Sequence, residues 1–137
     1  MGYTNYWHQE KDFTTDEWDL IFSEFLYLLE TMPDIIIDDS PIVNKGVSPE
    51  IIFNGNPKDG GDHETFILSR YARKKPDYEG QDITFNFCKT AEKPYDVAVW
   101  HLLYFAYNES NAITQIKRDR VSLNYNLSSI RKVVNYE

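Results

Sequence analysis

The clearest helix pattern in the chain lies near its start. Thr14-Thr15-Asp16-Glu17 fits a capping box, and Phe13 and Trp18 are placed to form the accompanying hydrophobic staple. Apolar residues then recur at three- and four-residue steps, which puts them on one helical face: Trp18, Ile21, Phe22, Phe25, Leu28, Leu29 and Met32. Pro33 stops the pattern, so the sequence predicts a helix from Thr14 to about Met32.

A second helix pattern is apolar on nearly every side. We expect this helix to begin at Pro94, a favoured first helical position, with Asp96 complementing the helix dipole. Apolar residues dominate from Val97 to Ala106, which predicts a central and mostly buried helix. The pattern ends in the polar stretch from Asn108 to Asn111.

Short alternating or β-branched runs predict strands in the remaining segments. They cover Tyr3–His8, Ile35–Ile37, Glu50–Phe53, Phe66–Leu68 and Asp82–Phe87. Asn54-Gly55 follows one of these runs and predicts a tight turn. Ile113–Ile116 and Val121–Tyr125 are predicted to form a hairpin, and Ser128 to cap a short C-terminal helix.

This order of elements is typical of an α+β fold. We expect a single domain over residues 1–137, with a mostly antiparallel sheet, two long helices packed on it and a short C-terminal helix. A chain of 137 residues is long enough to bury a core without disulfides.

Composition narrows the classes of function. The net charge of −8 argues against non-specific binding to nucleic acid, which needs a basic surface. The single cysteine excludes an internal disulfide, the start of the chain lacks the features of a signal peptide, and no apolar run is long enough to span a membrane. We therefore expect a cytoplasmic protein without membrane association, located in the host cytoplasm if a phage encodes it. Oligomerisation stays open.

The stretch from Phe85 to Asp96 carries the strongest indication of a binding site. It is predicted as a strand end, a polar loop and a helix start, so Lys89, Thr90 and free backbone N–H groups could together hold an anion. Further candidates are Asn54 and His63 as hydrogen-bond donors and Arg70, which opens a basic run ending at Lys75. Three aromatic residues could stack on a base or ribose: Tyr6, Trp7 and Tyr95.

Four motifs occur together between Gly2 and about Tyr107. They are Gly2-Tyr3-Thr4 with Tyr6-Trp7, Phe53-Asn54-Gly55, His63-Glu64-Thr65-Phe66, and Phe87-Cys88-Lys89-Thr90 with Pro94-Tyr95-Asp96. This combination resembles an uncharacterised family of short proteins from phages, bacteria and some fungi. The chain departs from that family at Glu92, where arginine is usual, and at Lys117-Arg118-Asp119-Arg120, where a Ser-Asp-Gly turn is usual. The resemblance implies a site near Lys89 and no particular reaction.

Three hypotheses follow. The first is a binding protein for a small phosphate-bearing ligand such as a nucleotide; a phage protein of this kind would sequester a nucleotide-derived immune signal of its host. The second is a hydrolase with Cys88 as nucleophile, His63 as base and Asp96 or Glu64 as the orienting acid. The third is an acidic inhibitor that binds a host defence protein through some of its ten tyrosines.

A metal-dependent hydrolase is a weaker alternative. Its ligands would come from His8, Asp62, His63 and Glu64, whose spacing matches no recognised metal motif. We therefore expect neither a metal nor a cofactor.

Overall fold

The computed structural model describes residues 3–40, 49–73 and 84–119, and these contain two helices and six strands. In chain order they are β1 (Thr4–Gln9), α1 (Thr15–Thr31), β2 (Ile36–Asp38), β3 (Glu50–Gly55), β4 (Phe66–Ser69), β5 (Phe85–Lys89), α2 (Asp96–Glu109) and β6 (Ile113–Arg118). A short 3-10 turn, Lys58–Gly60, lies between β3 and β4. The predicted α+β class and its two long helices are confirmed.

The strands form two antiparallel sheets of three, where one sheet was predicted. One sheet has the order β5-β1-β6 and the other has the order β2-β3-β4; we call them the β1 sheet and the β3 sheet after their central strands. The β1 sheet joins strands that are far apart in the chain, and local patterns do not specify such pairings. The antiparallel type was predicted correctly.

The start of α1 agrees with the sequence in detail. The Glu17 N–H donates to Thr14 Oγ1 at 3.1 Å, and the Thr14 N–H donates to Glu17 Oε1 at 2.9 Å, which completes the capping box. The rings of Phe13 and Trp18 lie 5.8 Å apart, as a hydrophobic staple requires. α2 begins at Asp96, two residues later than predicted, after a turn that contains Pro94.

One hydrophobic core joins both helices to both sheets. The Phe25 ring of α1 lies 5.5 Å from the Phe53 ring of β3, and the Trp7 ring of β1 lies 5.4 Å from the Phe66 ring of β4. α2 packs against α1, β1 and β6, and all its residues from Ala98 to Leu103 are buried. The expected central position of α2 is confirmed.

The predicted turn at Asn54-Gly55 is wrong. Both residues belong to β3, where Asn54 pairs with Ile37 and Gly55 pairs with Ile36. A Cβ atom at position 55 would lie 2.0 Å from Gly61 O and 2.7 Å from Tyr95 Cδ1. Glycine is therefore required here for a close tertiary approach and not for a turn.

Several predictions concern residues outside the described ranges. They are the strand from Val121 to Tyr125, the C-terminal helix capped by Ser128, and the end of the basic run at Lys74-Lys75. The strand from Ile113 is confirmed as β6, which pairs with β1. Neither described helix combines the length and the apolar character that crossing a bilayer requires.

Candidate functional site

The start of α2 does not offer the free N–H groups that an anion site would use. The N–H groups of Asp96, Val97 and Ala98 donate to the carbonyls of Lys93, Pro94 and Tyr95, at 2.8, 3.4 and 3.0 Å respectively. The preceding turn therefore satisfies the first donors of the helix. The expectation of a backbone cradle at this helix end is wrong.

The Asp96 carboxylate occupies the position that we expected a ligand anion to take. It accepts hydrogen bonds from Asn5 Nδ2 at 2.7 Å and Thr90 Oγ1 at 2.6 Å, and it forms a buried ion pair with Arg118. Thr90 is fully buried and its hydroxyl is already used. Thr90 therefore stabilises the fold and does not face a ligand.

Two of the proposed stacking residues lie in the core. Trp7 is only 2% exposed and packs on Phe66. Tyr95 is fully buried, and its hydroxyl donates to the Glu64 carbonyl at 2.6 Å. Burial of this hydroxyl raises the pKa of Tyr95 above its usual value. Neither ring can stack on a ligand in this structure.

Asn54 and His63 lie together, but the Asn54 amide is fully engaged. Its Nδ2 donates to the His63 carbonyl at 2.9 Å and to Thr65 Oγ1 at 3.2 Å. Its Oδ1 accepts from the N–H groups of Gly55 and His63, at 2.6 and 3.1 Å. Asn54 therefore holds the loop before β4 in place, while the His63 side chain is exposed.

Arg70 lies at the start of α1, away from this loop. Its Nε donates to the Phe13 carbonyl at 3.0 Å, and its Nη2 donates to Thr15 Oγ1 at 2.9 Å. Arg70 therefore joins β4 to the start of α1, and the structure does not bring it to the other predicted site residues.

Cys88 lacks the exposure and the lowered pKa of an activated nucleophile. The side chain is fully buried, and its Sγ lies within hydrogen-bonding distance, 3.5 Å, of the Glu64 carbonyl. Burial, together with the nearby charges of Glu64 and Asp96, raises the pKa of Cys88 to about 12. A thiol with this pKa is almost fully protonated at neutral pH, whereas catalysis requires the thiolate.

The proposed metal ligands His8 and Glu64 lie too far apart to bind one metal ion. Glu64 contacts Lys89 at one end of β5, whereas His8 pairs with Phe85 at the other end. These strand positions differ by four residues, or roughly 13 Å. Within the described ranges, no three His, Cys, Asp or Glu residues are grouped so as to hold a metal ion.

Tyr6 and Lys89 do lie on one surface, the outer side of the β1 sheet. Alternate strand residues share a side, and the pairing register aligns Tyr6 with Phe87 and Lys117, and His8 with Phe85 and Gln115. We call this surface the aromatic face, defined as Tyr6, His8, Phe85, Phe87, Lys89, Gln115 and Lys117.

The rings of the aromatic face form a continuous series. Ring centroids are 5.7 Å apart for Tyr6 and Phe85, 5.5 Å for His8 and Phe85, and 5.9 Å for Phe85 and Phe87. Phe87 is 48% exposed, and Lys89 Nζ lies 5.8 Å from its ring centroid. An aromatic surface with an ammonium group beside it can hold a planar ring and an anion at the same time.

A hollow of about 400 Å³ lies on this face, between Phe85 and Asp119. The Tyr6 hydroxyl donates to Asp119 Oδ1 at 2.8 Å, and Asp119 Oδ2 accepts from the Thr4 N–H at 2.9 Å. The hydrogen bond to Asp119 raises the pKa of Tyr6, so its hydroxyl stays protonated at neutral pH. Lys117 lines the same hollow.

Sequence reasoning missed Phe85, Phe87 and Lys117 as site residues. Their signal is the period-two alternation of Phe85-Asn86-Phe87-Cys88-Lys89, which places both phenylalanines and Lys89 on one side of a strand.

No family model matches the chain, and neither a curated protein nor a solved structure is significantly similar to it.

Proposed function

We propose that this protein binds a small ligand with a planar ring and a phosphate group, such as a nucleotide, on the aromatic face. The observation that supports this proposal is the arrangement of three aromatic rings and two lysines on one side of a single sheet. Tyr6 lies in the central strand, between Phe87 and Lys117.

The two kinds of side chain have separate tasks. Phe87 and Tyr6 offer ring surface for stacking, which contributes about 1–3 kcal/mol per base in nucleic-acid complexes. Lys89 and Lys117, from the two outer strands of the sheet, attract the phosphate in a chain whose net charge is −8. The adjoining hollow of about 400 Å³, which Tyr6, Phe85 and Lys117 line, falls in the usual range for small-molecule sites.

We propose binding without turnover. Cys88 is buried and protonated, and the Asp96 carboxylate is fully occupied, so the residues of the hydrolase hypothesis are unsuited to catalysis. We propose that this binding sequesters the ligand. If a phage encodes the chain, a nucleotide-derived immune signal of the host is the ligand we propose.

The test is thermal stabilisation and calorimetric titration with AMP, ADP, cyclic di-AMP and inorganic phosphate. We expect at least one of the nucleotides to raise the melting temperature of the wild-type protein and phosphate alone to have a smaller effect. Phe87→Leu removes the aromatic surface, and Lys89→Gln removes the charge; each should weaken binding at least tenfold.

Two matched variants serve as controls. Tyr107→Leu removes an aromatic ring that is 42% exposed on α2, and Lys58→Gln removes a lysine from the 3-10 turn. Both should bind like the wild type. The proposal is wrong if no nucleotide binds at millimolar concentration, or if the controls weaken binding as much as the variants of the aromatic face.

A further inference from the structure

A second hollow, of about 460 Å³, lies between the two sheets. Among the described strands, β4 is an edge of the β3 sheet and β5 is an edge of the β1 sheet. Ile67 and Ser69 line the hollow from β4, and Asn86 and Phe87 line it from β5. We call this hollow the inter-sheet groove.

The pairing pattern of β5 shows which backbone groups point into this groove. The Gln9 N–H donates to the Thr84 carbonyl, and the Thr90 N–H donates to the Tyr3 carbonyl. Since bonded and non-bonded pairs alternate in an antiparallel ladder, the even-numbered residues of β5 direct their backbone groups to β1. Phe85, Phe87 and Lys89 therefore direct theirs away from it.

β4 shows the same alternation of backbone directions. The Arg70 N–H donates to the Pro49 carbonyl, so position 70 is bonded toward β3, as are Phe66 and Leu68 by alternation. Ile67 and Ser69 therefore direct their N–H and C=O groups to the free edge. The hydrogen bond of 3.0 Å from Gln9 Nε2 to the Ser69 carbonyl agrees with this direction.

The outward backbone groups near the ends of both strand edges are capped, because side chains and one loop backbone group form hydrogen bonds with them. The Glu64 N–H donates to the Lys89 carbonyl at 3.2 Å, and Glu64 Oε1 accepts from the Lys89 N–H at 2.8 Å. The Arg73 guanidinium donates to the Phe85 carbonyl, as Gln9 does to Ser69. Capping of this kind protects a strand edge from unwanted pairing.

The centre of each edge is left uncapped within the described residues. The outward N–H and C=O groups of Phe87 and Ile67 have no hydrogen-bond partner there. The two side chains beside them are 48% and 46% exposed. Two unpaired strand edges, each next to an exposed apolar side chain, match the needs of an extended peptide.

We propose that the inter-sheet groove binds a short extended peptide segment of a partner protein, which hydrogen-bonds to the backbone of Ile67 and Phe87. Its central residue is apolar and packs on these two side chains. Glu64, which lines one end of the groove, favours a basic residue at the corresponding end of the segment. The caps at Phe85 and Lys89 limit the paired stretch to roughly 13 Å.

The test is selection of a displayed library of random nonapeptides on the full chain. The decisive variant is Ile67→Lys, which puts a charge at the centre of the groove and leaves Lys89 and Lys117 of the aromatic face intact. Its matched control is Ile37→Lys, the same change at a 40% exposed position in β2, the opposite edge of the β3 sheet. Binding of the selected peptides is measured by fluorescence polarisation, and amide hydrogen exchange is followed by NMR.

We expect enriched peptides without proline that carry an apolar residue and, toward the Glu64 end of the groove, a basic residue. Ile67→Lys should weaken their binding at least tenfold, Ile37→Lys should leave it unchanged, and N-methylation of the peptide backbone should abolish it. Exchange at the amides of Phe87 and Ile67 should be fast in the free protein and slow in the complex. The proposal is overturned if no peptide is enriched, if both lysine variants behave alike, or if N-methylated peptides bind equally well.

Discussion

Replacement of Asp96 by asparagine tests most directly whether the Asp96 carboxylate fills the predicted anion site in place of a ligand. The substitution keeps the size of the side chain and removes its charge. Asparagine can still accept a hydrogen bond from Asn5 or Thr90, so the main loss is the charge opposite Arg118. The Arg118 guanidinium would stay buried, with the rings of Tyr3 and Trp100 at 5.1 and 4.8 Å.

The size of the effect follows from the burial of this pair. Removing one partner of a buried ion pair typically costs about 3–5 kcal/mol, because the other charge remains without compensation. The cation–π contacts of Arg118 offset part of this, so we expect the free energy of unfolding to fall by about 3 kcal/mol. That is a large share of the roughly 5–15 kcal/mol that stabilises a typical domain.

Urea unfolding followed by tryptophan fluorescence measures this loss. Asp19→Asn, which removes the same charge at an exposed position of α1, should change stability by less than ~0.5 kcal/mol. In a double-mutant cycle, Arg118→Met should relieve part of the cost of Asp96→Asn. A loss as small as that of Asp19→Asn, or strictly additive effects of the two substitutions, would refute the reasoning.

Two further predictions concern Cys88 and Gly55. Because the pKa of Cys88 rises from 9.0 to about 12 on folding, the unfolded chain loses this proton first, and stability should fall between pH 9 and 12 by at most ~1.4 kcal/mol per pH unit. The folded protein should also resist iodoacetamide at pH 8. Gly55→Ala should cost about 3 kcal/mol in urea unfolding, because the added methyl group would overlap Gly61 O and Tyr95 Cδ1.

Each of these two predictions has its own control. Cys88→Ala should remove the component of the pH dependence that begins near pH 9, and an unchanged slope would contradict the assignment to the thiol. Gly60→Ala introduces a methyl group where nothing lies within 4 Å, although φ is +70°, and should cost only about 1 kcal/mol. Equal losses for the two alanine variants would show that close packing at Gly55 is not the cause.

The features predicted best from the sequence are those that depend on residues close to one another in the chain. The capping box at Thr14 and Glu17 needs only three residues of spacing, and the structure has both of its hydrogen bonds. Asn54-Gly55 is equally local as a signal, yet the prediction failed because the requirement for glycine comes from Gly61 and Tyr95, which approach from elsewhere in the fold.

The candidate site shows the same difference between local features and features set by distant residues. Lys89 and Tyr6 were identified from residue type, and they do share a face. The prediction for Thr90 is wrong because its hydroxyl donates to Asp96, six residues further along the chain. The turn between them brings the two side chains together. The pairing of β1 with both β5 and β6 brings Lys117 beside Tyr6, and no local pattern specifies that pairing.

The central place of β1 has a consequence for synthesis on the ribosome. β1 leaves the ribosome well before its hydrogen-bonding neighbours β5 and β6; the contact of Tyr6 with Asp119 spans 113 positions. Until then the alternating residues of β1 have no sheet to join, and closing such long loops is slow. The β3 sheet, whose strands are near neighbours in the chain, can form first. The surface that we propose for ligand binding is therefore completed among the last parts of the fold.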